Sequence, residues 1–202
     1  MRRISFFFLC FFLFLTTVKA QEEYPSAVFP VKAPQEETFS GVLLKSNILP
    51  WSIAIPNLGA EYLINKKWSL ALDLWFCPWK ISDSFSVKCA AILPEARWWL
   101  KNTGKGSFFN LHLNVAWFNV RANHIRYQDT SRPLLGGGIG YGYRLLINRH
   151  WGFEFEIGAG VANMKYNRFY NVKNGALIDT RTTTYFGIDR ACISVTYFLC
   201  DL

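Results

Sequence analysis

Beyond residue 20 the sequence has no apolar run long enough to cross a membrane as a helix, which takes about 20 consecutive apolar residues. Any membrane crossing must therefore be made by strands. Histidine is scarce, with only His112, His124 and His150 in 202 residues, and no Cys/His spacing matches a zinc site. No metal and no cofactor is expected. Basic residues outnumber acids, for a formal charge of +8, yet they nowhere form the dense basic arm that marks a nucleic-acid binder. Nucleic acid is excluded as a partner. The glycine-rich run Gly136-Gly137-Gly138-Ile139-Gly140-Tyr141-Gly142 lacks both the dinucleotide spacing and the Lys-Ser/Thr of a phosphate loop, and its period is two. It reads as a glycine stripe along a strand.

What is present begins with an export signal. Arg2 and Arg3 precede an apolar stretch from Ile4 to Leu15, and Thr16, Thr17, Val18, Lys19 and Ala20 close it. A basic n-region, an apolar h-region and a small-residue cleavage site make residues 1–20 a signal peptide, cut after Ala20. Cys10 leaves with it. Its removal takes Arg2, Arg3 and Lys19 from the 22 basic residues, so that 19 face 14 acids and the charge falls to +5. Residues 21–41 carry Pro25, Pro30 and Pro34 among Glu22, Glu23, Glu36 and Glu37, without an apolar period, and read as a flexible periplasmic leader. Residues 42–202 form one domain.

That domain alternates. In 108–120, Phe109, Leu111, Leu113, Val115 and Trp117 are interleaved with Asn110, His112, Asn114 and Ala116, and successive side chains of a strand point to opposite faces. The same period runs through 68–76, 134–147 and 153–161, and through 57–65 and 87–101. Strands at 42–49 and 184–199 complete an expected set of eight. Around Phe186 and Ile188 the parity of the last strand breaks, as a bulge would make it. The turns at 65–67, 102–105 and 148–150 are tight, whereas the connections near 50–56, 81–86, 121–133 and 170–181 are equal or longer. Tyr62, Trp68, Trp98, Phe109, Trp151 and Tyr197 fall beside the tight turns or the C-terminus; Trp51, Trp79, Trp117, Phe169, Tyr170 and Tyr185 fall near the longer loops. An even strand number, turns of alternating length and two aromatic belts are the marks of an eight-stranded antiparallel up-and-down transmembrane barrel.

In such a barrel the apolar stripe meets lipid and the polar stripe fills the lumen. The polar stripe holds Lys45, Glu61, Asp73, Glu95, Arg97, His112, Arg144, Glu154, Glu156 and Arg190. Acids and bases nearly balance, so an interior ionic network is expected rather than an open pore, since lone buried charges cost several kcal/mol each. The longer loops carry Arg121, Arg126, Arg132, Lys165, Arg168, Lys173 and Arg181, a basic rim suited to lipopolysaccharide phosphates. If the third and fourth strands pair about a loop near residue 83, Cys77 and Cys89 face each other and are the candidate pair for a disulfide. No catalytic residue is assigned: His124 with Ser131 is the only loop pairing of a base with a nucleophile, and it has no third member.

Several segments together resemble a known family: Lys45-Ser46-Asn47, Pro56-Asn57-Leu58-Gly59-Ala60-Glu61, Lys67-Trp68-Ser69-Leu70, Pro94-Glu95-Ala96-Arg97-Trp98-Trp99, Gly140-Tyr141-Gly142-Tyr143 and Glu154-Phe155-Glu156-Ile157-Gly158-Ala159-Gly160. The resemblance is to domain of unknown function 3575, an outer-membrane barrel family of Bacteroidota, and it covers nearly all of 42–199. Members are often encoded near fimbrial subunits, which implies a part in anchoring or assembling surface fibres. The family has no catalytic residues to carry over. The expected function is thus non-enzymatic, a plugged outer-membrane barrel with a structural or accessory role at the cell surface, in contact with outer-membrane lipid, lipopolysaccharide and fimbrial or other surface proteins. Two other classes stay open: a small lipid-modifying outer-membrane enzyme, and a soluble periplasmic ligand-binding barrel.

Overall fold

Alternation dictates strands, and the computed structural model is, among the described residues, all-β apart from one helical turn. It describes residues 41–79, 85–130, 132–172 and 174–201. The expected signal peptide, its cut after Ala20, the leader up to residue 40, Ser131 and Lys173 lie outside the described residues.

Nine strands follow one another: β1 Gly41–Asn47, β2 Asn57–Leu63, β3 Trp68–Cys77, β4 Phe85–Trp99, β5 Gly106–Ala122, β6 Ile125–Asp129, β7 Leu134–Leu146, β8 Trp151–Tyr170 and β9 Leu177–Asp201. Every pairing is antiparallel. β1 to β5 pair in sequence, β5 continues to β7, β7 to β8 and β8 to β9, and β9 returns to β1. Eight strands thereby close into a ring, and β6 stands outside it, bridging β5 and β8 beyond the start of β7. Gly41 pairs with Asp201, so the first and last strands meet at the end that carries the tight turns.

The differences from the sequence reading have local causes. The strand expected over 42–49 stops at Asn47, and Ile48–Trp51 forms α1, a single turn capped by the Asn47 side chain, which accepts from Leu49 N at 3.1 Å. The connection expected over 121–133 contains β6, a ninth strand. Asn123 makes the intervening turn with φ of 53°, a left-handed conformation that asparagine tolerates better than most residues. The loop expected over 170–181 shrinks to the segment between Tyr170 and Leu177, because the threonine-rich run from Thr180 to Thr184 favours extended backbone. The leader's last expected residue, Gly41, is the first of β1. The suspected bulge is present: the β8–β9 register passes from Gly158↔Arg190 to Ala159↔Ile188, leaving Asp189 as the extra residue.

Alternation places the charged face inside. Leu58, Leu70, Leu74, Leu111, Ile139 and Phe155 all point outward and are exposed, Leu111 at 61% and Ile139 at 69%. Lys45, Glu61, Glu95, Arg97, His112, Arg144, Glu154 and Glu156 are buried. The glycine stripe makes this crowding feasible. Phe108, Asn110, His112 and Asn114 of β5 are the register partners of Gly142, Gly140, Gly138 and Gly136 of β7. A Cβ on Gly142 would lie 2.3 Å from the Phe108 ring, and one on Gly140 would lie 2.8 Å from Asn110 Oδ1. Phe108 and Asn110 therefore occupy the space that their partner glycines leave unfilled, and His112 occupies that of Gly158 on β8, where a Cβ would lie 2.8 Å from its ring.

Candidate functional site

The interior is layered, and the layers follow from position along the strands. At the tight-turn end Leu43, Leu63 and Phe198 form an apolar cluster with Leu146 packed against it. Trp99 and Phe108 share this depth on the neighbouring strands, with ring centroids 4.7 Å apart. These residues have the same parity as the charged ones, so the inward face is apolar at its lower end. The sequence reading treated apolar residues as outward and missed this seal. The parity of Trp99 with Arg97, and of Phe108 with Asn110, carried the signal.

On the seal rests the ionic network. Arg97 is at its centre and is fully buried. Its Nε donates to Glu95 Oε1 at 2.6 Å, and Nη1 donates to Glu61 Oε2 at 2.8 Å. Nη1 and Nη2 hold Glu154 in a fork at 2.8 and 2.9 Å, and Nη2 reaches Glu156 Oε2 at 3.1 Å. Arg144 donates to Glu154 Oε2 from Nε at 2.9 Å and also reaches Glu61. The seal supports both guanidiniums: Arg97 lies 4.5 Å above the Phe108 ring and Arg144 lies 4.9 Å from the Trp99 ring. Trp99 Nε1 donates to Ser69 Oγ at 2.8 Å, which donates to Glu61 Oε1 at 2.6 Å. Planar forks that stack on rings while binding carboxylates pairwise are what arginine supplies and lysine does not.

Higher up, Lys45 Nζ sits 2.9 Å from Asp73, and Arg190 bridges Asp73 at 2.9 Å and Glu156 at 2.6 Å. His112 lies 3.0 Å from both Asn110 Oδ1 and Asp189 Oδ2, and Asn114 Nδ2 donates to the same Asp189 oxygen at 3.0 Å. All ten residues expected in the network are thus brought together. Asp189 is the member that sequence reasoning missed, because the bulge turns two consecutive residues, Asp189 and Arg190, inward. The parity break at Ile188 was the only trace of it.

The basic rim gathers at the opposite end, on the extensions of β5, β6, β8 and β9. Arg121 and Arg126 are direct register partners, and the Arg126 guanidinium stacks 4.6 Å from the Phe169 ring. Arg168 and Arg181 donate to the two oxygens of Asp179 at 2.7 and 3.0 Å. Desolvation pushes the Asp179 carboxyl up, but these two guanidiniums outweigh it and hold the carboxyl below its ordinary value. Arg132 bonds Asn163, and Lys165 lies opposite Thr182. His124 stands in the β5–β6 turn, where its backbone carbonyl accepts from Asn171 N. Cys77 and Cys89 are register partners, as expected from pairing about the loop, but the disulfide suggested for them is not formed: both are free thiols, and Cys77 Sγ donates to Val87 O at 2.9 Å instead.

Fold and site together define an all-β protein in which a ring of eight antiparallel strands encloses an ionic plug on an apolar seal. The chain belongs to the family described as protein of unknown function (DUF3575), whose model matches residues 6–199. No curated protein matches it.

Proposed function

We propose that this chain is a small outer-membrane β-barrel, exported by residues 1–20, that serves a non-enzymatic structural or accessory role at the cell surface. The observation that carries the reading is the inversion of polarity. Charges are buried within the ring while leucine, isoleucine and aromatic side chains cover its outside, whereas soluble proteins rarely expose an apolar patch of more than a few hundred Å². Trp68, Trp98, Phe109, Tyr141 and Trp151 are exposed near the tight-turn end, and Trp51, Trp79, Trp117 and Tyr170 near the other. These are the depths at which interfacial aromatics anchor a barrel. The sealed and ion-paired interior supports an anchor rather than a conduit. In fractionated native cells the protein is expected in the membrane fraction, resistant to alkaline carbonate and released only by detergent. Recovery in the soluble periplasmic fraction would reject the reading.

The loop end faces outward in this orientation, and its cations suit lipopolysaccharide phosphates. Arg121 and Arg126 lie directly opposite one another, and like charges so placed repel unless an anion sits between them. Replacing both with glutamine is expected to weaken binding of lipopolysaccharide to the detergent-solubilised protein roughly tenfold, at about 1 kcal/mol or less per cation. Binding that is unchanged in a titration at low salt would dismiss lipopolysaccharide as the partner of this rim.

A further inference from the structure

Above the ionic plug the ring is not filled. A cavity of about 490 Å³ lies there, walled by inward side chains of β3, β4, β5, β7, β8 and β9. Small-molecule sites commonly have volumes of about 300–1,000 Å³. Trp75, Leu93, Phe118 and Met164 give the wall its apolar character, and Ala91, Ala116 and Ala162 are too small to close the space. Water in such a space finds few partners, whereas an apolar body gains by displacing it.

The polar end of the cavity holds both signs, and Arg190 Nη1, like Asp189 Oδ1, has no hydrogen-bond partner among the described residues, but acids predominate. Asp73, Asp189 and Arg190 line it. Among the described residues the interior holds six carboxyl groups, Glu61, Asp73, Glu95, Glu154, Glu156 and Asp189, and four permanent cations, Lys45, Arg97, Arg144 and Arg190, which contact all of them except Asp189. His112 can supply a further charge at most. Asp189 is the member that meets none of the four, and its one cationic neighbour among the described residues is His112. Its side chain is 5% exposed, and while Oδ2 is held by His112 and Asn114, Oδ1 has no hydrogen-bond partner among the described residues. A buried carboxylate oxygen left without a partner costs more than one that is paired.

We propose that this cavity is a binding site for a small lipophilic amine, with the apolar body against Trp75 and Phe118 and the ammonium group at Asp189. The ammonium supplies positive charge beside the acid-rich end of the cavity, which neither a neutral nor an acidic ligand does. The cavity belongs to the ring itself, so the inference stands or falls separately from the membrane reading.

The test uses the purified mature chain, in phosphatidylcholine nanodiscs or, should it stay dissolved without lipid, in buffer, with three fluorescent probes of one body, dansylcadaverine, a neutral dansyl amide and a dansyl carboxylic acid, read by tryptophan-sensitised emission. Dansylcadaverine is expected to bind saturably, at least about tenfold more tightly than the other two, in keeping with a hydrogen bond to a charged partner. Ala116→Phe is expected to remove saturable binding by filling the cavity. Asp189→Asn is expected to lower the affinity for the amine about tenfold and to leave that for the neutral amide unchanged. Equal binding of the three probes to the unmodified protein, or saturable binding that survives Ala116→Phe, overturns the proposal. The comparison of probes on the unmodified chain decides the question even if Asp189→Asn does not fold.

Discussion

Arg97→Leu is expected to cost the protein at least 3–5 kcal/mol, the penalty typical of removing one partner from a buried ion pair. The leucine would fill most of the volume, so the loss is electrostatic. Glu61, Glu95, Glu154 and Glu156 all converge on the Arg97 guanidinium, and without it the four carboxylates face one another with Arg144, Arg190 and Lys45 at the margins. The counterpart, Glu156→Gln, removes an acid from a network in which acids are in excess. It keeps an acceptor for Asn110 Nδ2, which donates to Glu156 Oε1 at 2.9 Å, loses the contact of Arg97 Nη2 with Oε2 at 3.1 Å, and is expected to cost about 1–3 kcal/mol, the worth of one hydrogen bond to a charged group and less than Arg97→Leu. Urea unfolding of the refolded protein, followed by tryptophan fluorescence, measures both. Equal midpoints for Arg97→Leu and the unmodified chain would mean that the buried network is not what holds the ring's interior.

Arginine at the outward face provides the second large effect. Leu111 and Ile139 are register partners halfway along β5 and β7, and both are exposed. On the surface of a water-soluble protein, Ile139→Arg would shift stability by about 0.5 kcal/mol or less. At the midplane of a bilayer the same change costs about 2–4 kcal/mol for a transmembrane barrel. Thr182→Arg, on the exposed extension of β9, provides the matched control and is expected to have little effect. Folding free energies in phospholipid vesicles separate the cases. If Ile139→Arg proved as harmless as Thr182→Arg, the apolar exterior would not be facing lipid.

The two substitutions test opposite faces of the same strands, and the logic of both was visible in the period-two pattern. That pattern assigns Leu111 and His112, or Arg97 and Trp98, to opposite sides without any knowledge of the fold. It also carried the pairing of long interior side chains with the glycines of 136–142, because crowding on one strand demands space on its neighbour. It did not reveal that β6 forms, since five residues in a polar connection have too little alternation to stand out and owe their strand to pairing with β5 and β8.

By itself the sequence determined the faces: which residues share a side of each strand, where the tight turns fall and which charges share the inward face. Closure was decided by tertiary structure. The return of β9 onto β1 is what converts a polar stripe into an enclosed interior, where carboxylates and guanidiniums from strands far apart in the chain meet within hydrogen-bonding distance. Tertiary structure also decided the fate of Asp189. A single extra residue opposite Gly158 and Ala159 turns it inward, and no rule of alternation can place a residue whose direction is set by a slip in register against a neighbouring strand.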